Sequence, residues 1–198
     1  MQKPRKRLKR FLIVCEDEKS GHDYLRSFPY DKEKFEFVTE GGCGNTISVV
    51  ERGLELRQKA KKKKAPFAKV FCVIDRDEHP IERYQRCFDV AYNYNDVEVI
   101  WINEAFELWY VLHFQALDVA THRRDLAKKC SQLMGRKYHK SDTCVYAYLE
   151  DKIETAKANA EKLEGFWRGD PKPYLQNPST NLRRLITLLE NPASHENR

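Results

Sequence analysis

The chain alternates short, unbroken apolar runs with longer stretches in which apolar positions recur every three or four residues. Phe11-Leu12-Ile13-Val14-Cys15 and Val70-Phe71-Cys72-Val73-Ile74 are continuous apolar runs, the mark of strands covered on both faces. Phe35 to Thr39 reads as a second strand, the third begins near Lys69, and Val97 to Ile102 reads as a fourth. Helical patterns lie between them. His22 to Phe28 is a short helix ended by Pro29. A longer helix runs from Asn45 or Thr46 to about Lys64, with Ile47, Val50, Leu54 and Leu56 toward its buried side. Pro80 opens a third, with Ile81, Tyr84, Phe88 and Ala91 at helical spacing. Strand and helix in regular alternation predict an α/β protein: a mostly parallel four-stranded sheet with helices on both faces.

Beyond Asn103 the pattern is helical only. Helices are expected over Ala105 to Phe114, Arg123 to Met134, from an Asp142 cap to Leu163, and over Ser179 to Glu190. A loop holding Gly165, Gly169, Pro171, Pro173 and Pro178 precedes the last of these. The chain therefore divides into an α/β core with a basic N-terminal arm, residues 1–114, and a C-terminal helical extension, residues 115–198. A length of 198 residues suits one domain with an extension better than two domains.

Composition is that of a folded protein in water, with 41% hydrophobic and 33% charged residues. No apolar run approaches the ~20 residues of a membrane span, and the basic start leads into a five-residue strand, so a cytoplasmic protein with no membrane partner is expected. Six cysteines are scattered without zinc spacing or a CxxC pair, and three of them, in or beside apolar runs, read as small buried hydrophobes. The net charge of +6 is uneven. One basic cluster is the N-terminal arm and a second is Lys59 with Lys61 to Lys64. Such clusters favour DNA or RNA, with Arg5, Arg7, Lys9, Arg10, Lys61, Lys62 and Lys63 as candidate backbone contacts. A solvated tail and a solvated helix end account for the same residues.

Carboxylates follow both apolar runs. Glu16-Asp17-Glu18-Lys19 comes after the first strand and Asp75-Arg76-Asp77-Glu78 after the third, where open α/β sheets gather ligands. Asp75 and Asp77, two apart on extended backbone, would face the same way and share one cation. A site this sparse suits Mg2+ or Mn2+, completed by water and phosphate, and suits zinc poorly. Glu16 would serve as general base or as a further ligand, and Lys19 would meet a phosphate oxygen. An isolated Asp-x-Asp is also an ordinary turn or N-cap; two acidic strand ends in one fold favour the site.

Other motifs are less specific. The Gly41 to Gly44 loop precedes a helix but lacks dinucleotide and P-loop spacing, and it reads as a tight turn. In Asn103 to Phe114, Glu104 and Glu107 share a helix face, and Phe106, Trp109, Tyr110 and His113 recur at three or four. Glu107, embedded among apolar residues, needs a partner, whereas His113 reads as a core histidine. Neither GxSxG nor HExxH is present.

Cys15-Glu16-Asp17-Glu18-Lys19-Ser20, Asp75-Arg76-Asp77-Glu78-His79, Asn103 through Phe114 and Asn177-Pro178-Ser179-Thr180 together resemble the motif series of RloB-like proteins, in order and over nearly the whole chain. That family is similar to the Toprim fold, a Rossmann-like α/β arrangement. The resemblance implies a catalytic Glu16, a metal-binding pair at Asp75 and Asp77, and a supporting Glu107. It also implies a bacterial or archaeal setting of restriction and anti-phage defence, with an AAA or ABC-type ATPase encoded nearby. Asp17 departs from a common Gly, and Gly21 stands where a second Glu is often found. Two functions follow as expectations: a metal-dependent nuclease, in which Glu16, Lys19 and Glu107 take part in catalysis and Glu16, Asp75 and Asp77 hold the ion; or a non-catalytic Toprim-like subunit that binds nucleic acid beside an ATPase. A homo-oligomer is compatible with either.

Overall fold

The four expected strands form, each within one residue of its predicted bounds: β1 (Phe11–Cys15), β2 (Phe35–Thr39), β3 (Lys69–Asp75) and β4 (Val97–Asn103). They are taken from a computed structural model in which residues 9–16, 20–39 and 46–192 are described. The strands are mutually parallel and lie in the order β2-β1-β3-β4. Helix α1 (Ser20–Arg26) connects β1 to β2, α2 (Thr46–Lys62) connects β2 to β3, and α3 (Ile81–Tyr92) connects β3 to β4.

Period-2 alternation within each apolar run sends neighbouring side chains to opposite faces. Leu12, Val14, Val70, Cys72 and Ile74 join the cores of α2 and α3. Phe11, Ile13, Phe71, Val73, Ile100 and Ile102 face the other way, toward α1 and the C-terminal helices. On the first face α2 comes unusually close, because a Cβ on Gly53 would lie 2.9 Å from Cys72 Sγ. Within α3, Ile81 is 43% exposed while Cys87, outside the predicted stripe, is fully buried.

On the second face a short helix, α4 (Glu107–Leu112), is buried at all six positions. Around it lie α5 (Arg123–Leu133), α6 (Val145–Leu149), α7 (Ile153–Phe166) and α8 (Leu182–Glu190). The long helix expected from Asp142 is broken by a 3-10 turn over Glu150–Lys152, and Asp142 instead accepts the Cys144 amide at 3.0 Å.

The sheet has five strands, not four. β5 (Ser179–Thr180) pairs antiparallel with β4, Thr180 opposite Ile102 and Ser179 opposite Asn103. Two polar residues carry no period, so they read as the start of the last helix, which in fact begins at Leu182. Asn181 explains why. Its Oδ1 accepts the Trp101 amide at 2.8 Å and its Nδ2 donates to Val99 O at 3.0 Å, so a side chain prolongs the ladder along the edge of β4.

Among the described residues the cysteines are free: Cys15, Cys72, Cys87 and Cys130 are buried and Cys144 is exposed. No described helix is long and apolar enough to cross a membrane.

Candidate functional site

The winding reverses between β1 and β3: the chain moves from β1 to β2 on one side, then crosses back to build β3 and β4 on the other. Such a reversal opens a crevice at the carboxyl ends of the two strands. Cys15 pairs with Val73, so Glu16 leaves β1 beside the end of β3, with the strands about 4.8 Å apart. Glu16 Oε1 lies 3.5 Å from His79 Nε2. Asp75 closes β3, and its Oδ2 accepts the Phe106 amide at 3.2 Å.

Asp77 does not continue the strand. Its φ of 41° is the left-handed region that Asp tolerates better than most residues, and its amide donates to Glu104 O at 2.9 Å. The extended Asp75-x-Asp77 expected from sequence is therefore a turn, in which Asp75 reaches α4 and Asp77 reaches α5. Arg123 Nη1 stands 3.1 Å from Asp77 Oδ1 and Arg123 Nε stands 3.9 Å from Glu78. Arg76 clamps the turn from inside: its guanidinium donates to the carbonyls of Asp77 and His79 and lies 5.5 Å from the Tyr84 ring centre.

Glu107, the first residue of α4, is 1% exposed. Tyr138 Oη donates to its Oε1 at 2.8 Å, which supplies the partner that its apolar setting demands. The segment before α4 is a loop, so Glu104 lies outside the helix, where its carboxylate accepts the Arg123 amide.

These acids feel one another. Burial pushes the Asp75 carboxyl well above the usual carboxylate range; Asp77, Glu107 and Glu16 push in the same direction and Lys140 opposes them. Asp77 holds Arg123 above its ordinary value. Asp77 Oδ1 is buried, with the Arg123 guanidinium 3.1 Å away. A set of carboxylate oxygens fits a hard divalent ion such as Mg2+ or Mn2+. As they stand, no group of three His, Cys, Asp or Glu side chains among the described residues is arranged as a metal cage.

The basic candidates fall elsewhere. In parallel α/β units the helices run back against the strands, so the end of α2 and the start of β1 share the rim opposite the acids. Lys9, Arg10, Lys61, Lys62 and Lys63 lie on that far rim. Arg10 serves the fold there: it pairs with Glu36 at 2.7 Å, donates to Ala65 O at 3.3 Å and covers the Phe67 ring. Lys61 stands 3.4 Å from Asp96. Arg5, Arg7, Asp17, Lys19 and the Gly41 to Gly44 loop lie outside the described residues.

Among the described residues, His79, Arg76, Arg123 and Lys140 stand beside the acids, none singled out from sequence. His79 was within reach, since it closes the Asp75-to-His79 motif; Arg123 and Tyr138 carry no local signal because their partners are 46 and 31 residues away. His113 is a core residue, with Nδ1 2.8 Å from Trp109 O and Nε2 2.9 Å from Tyr24 Oη. The carbonyl can only accept, so Nδ1 carries the proton and Nε2 accepts from the tyrosine.

Fold and site define a class: a doubly wound α/β protein with a carboxylate cluster at its switch point. The family model for RloB-like protein matches residues 11–189, and the chain belongs to that family. No curated protein matches it.

Proposed function

We propose that this protein is a nuclease dependent on Mg2+ or Mn2+, which hydrolyses a phosphodiester bond of DNA or RNA on a Toprim-like core. Asp75 and Asp77 would hold the ion, with Glu16 as a further ligand or as the general acid–base group. When bound, the ion polarises the phosphoryl group and lowers the pKa of a coordinated water. Glu107, fixed by Tyr138, supports Asp75 from beneath. His79 and Arg123, paired with Glu16 and Asp77, are positioned to turn toward a phosphate once an ion occupies the carboxylates. Lys19 keeps the phosphate role its motif implies. The family setting adds an AAA or ABC-type ATPase as partner and a part in restriction or anti-phage defence.

One observation carries this reading: carboxylates from three separate segments, after β1, after β3 and at the head of α4, meet at the crevice between β1 and β3. Clustering like charges in a half-buried place is costly without a cation, and a surface meant only to hold a polyanion has no use for it. The test is cleavage of DNA and RNA by the full chain, with the ATPase and ATP supplied, in Mg2+ or Mn2+. Asp75→Asn and Glu16→Gln should each lower the rate by about 100-fold or more, and chelation should abolish it. Absence of metal-dependent cleavage under all these conditions overturns the proposal.

A second reading, a non-catalytic subunit that binds nucleic acid beside the ATPase, is favoured by the Arg123–Asp77 and His79–Glu16 contacts, which satisfy acids without an ion. Nucleic-acid binding that is indifferent to metal and unchanged in Asp77→Ala would select it.

A further inference from the structure

The first half of the C-terminal extension gathers cations at the acidic rim. Residues 122–140, from the N-cap of α5 to the loop that follows it, hold seven Lys or Arg against a single Asp. Cations on α2 are matched nearby: Glu55 meets Arg52 and Lys59, and Asp96 meets Arg57 and Lys61. Lys62 and Lys63, at its end, sit where the helix dipole favours them. The loop after α5 is different. The side chains of Lys137, His139 and Lys140 are exposed there and make no hydrogen bond or ion pair among the described residues.

One buried neighbour fixes where they lie. Tyr138, flanked by Lys137 and His139, is buried and donates to Glu107 Oε1 at 2.8 Å, and Phe106, the residue before Glu107, gives its amide to Asp75. The loop is therefore pinned to the head of α4, one residue from the contact that holds Asp75. Lys140, two residues further on, opposes the upward push on the Asp75 carboxyl. From the other end of the segment Arg123 reaches Asp77 and Glu78.

The loop also holds its shape. Gly135 turns at a φ of 64°, and the Tyr138 amide donates to Ser131 Oγ at 3.1 Å. Arg136 pairs with Asp142 at 2.5 Å and lies over the Tyr148 ring, whose Oη donates to Met134 O at 2.5 Å. Like charges held close on a fixed backbone attract a polyanion, and a preset surface loses little entropy when one binds.

We propose that the loop after α5, with Lys137 and Lys140 as its phosphate contacts, is the track along which a nucleic-acid strand enters the acidic crevice. The destination of the strand rests on the nuclease reading; the binding does not. Ammonium groups on flexible stems meet phosphates as point charges whatever the bases, so the grip is independent of sequence and shared by DNA and RNA. An acidic polypeptide would meet the same lysines, but it lacks the phosphodiester on which the neighbouring acids and their ion would act.

Fluorescence anisotropy on the full chain tests it, with single-stranded DNA, single-stranded RNA and duplex DNA as probes and a chelator present, so that binding is read without metal-dependent cleavage. Between about 50 and 200 mM salt, Lys137→Ala/Lys140→Ala should bind about tenfold more weakly than wild type, and the slope of log affinity against log salt should shrink by about 1.5, as expected for two lost phosphate contacts. Lys137→Arg/Lys140→Arg should keep both. Lys62→Ala/Lys63→Ala, on the far rim, should stay within about twofold of wild type. The probe bound most tightly names the substrate. Asp75→Asn should bind no more weakly than wild type, so a chain that never cleaves yet shows this lysine dependence sinks the nuclease reading and leaves the loop as a binding surface. Wild-type affinity and slope in Lys137→Ala/Lys140→Ala, an equal loss in Lys62→Ala/Lys63→Ala, equally tight binding of polyglutamate, or no binding of any strand overturns the proposal.

Discussion

Arg123 ties two loops together: its Nη1 lies 3.1 Å from Asp77 Oδ1, and its backbone amide donates to the Glu104 carboxylate. The first residue of α5 is thus fastened to the turns that follow β3 and β4. A cation is disfavoured in the first turn of a helix, so this one is held there by the acids it faces. A guanidinium in contact with a carboxylate competes with a metal ion for the same oxygens.

Arg123→Gln should therefore bind Mn2+ severalfold more tightly than wild type while binding nucleic acid more weakly. Titration with Mn2+ and with a DNA or RNA oligonucleotide measures both. Unchanged Mn2+ affinity would show that Arg123 and the ion do not share Asp77.

His113 makes stability depend on pH. Burial pushes its pKa down to about 4, against an ordinary value of 6.5. As pH falls below 6.5 the unfolded chain takes up a proton that the folded chain refuses until about pH 4, so stability is lost across that window. The loss approaches about 3 kcal/mol. Asp75, raised by its surroundings, acts with the opposite sign: the folded state keeps a proton that the unfolded state releases, which favours folding at low pH. Comparison of wild type with His113→Gln isolates the histidine. Urea midpoints between pH 4 and 6.5 should fall more steeply in wild type; parallel slopes would count against a neutral buried His113.

Gly21 packs where a side chain cannot follow. A Cβ there would lie 2.6 Å from Cδ2 of Phe106, a ring 2% exposed and edged against Tyr24 and Tyr110. Gly21→Ala should cost about 1–3 kcal/mol through overpacking, and Phe106→Leu in the same chain should recover part of it. The same contact gives a physical reason for the absence of a second Glu here, because the Phe106 ring fills the space. Equal urea midpoints for Gly21→Ala and wild type would refute the clash.

The parallel core was legible because burial on both faces writes itself as unbroken apolar runs, as in residues 11–15 and 70–74, and the acids after them mark the rim. The buried state of Glu107 was legible from its apolar neighbours, but Tyr138 as its partner was not, because tertiary contact leaves no local pattern. β5 escaped notice since two polar residues have no periodicity. The far-rim placement of Lys61 to Lys63 had a topological signal: once the strands are parallel, the helix that ends before β3 must end opposite the carboxylates. Charge alone made those lysines candidate contacts to a nucleic-acid backbone.

Asn181 carries the unprotected edge of β4. β5 covers only Ile102 and Asn103, and beyond it the Trp101 amide and the Val99 carbonyl are satisfied by the two ends of one side-chain amide. An open strand edge invites pairing with another chain, and buried backbone groups left unpaired cost about 1–3 kcal/mol each. Asn181 is itself 2% exposed, so water cannot readily replace it. Asn181→Ala should lower stability by about 3 kcal/mol, and the Trp101 amide should lose its protection against hydrogen exchange while the amides at the centre of β3 keep theirs. Asn181→Asp keeps the acceptor for Trp101 but loses the donor for Val99, so it should preserve the Trp101 amide and still destabilise. A Trp101 amide that exchanges as slowly in Asn181→Ala as in wild type would mean that the edge is held by something other than this side chain.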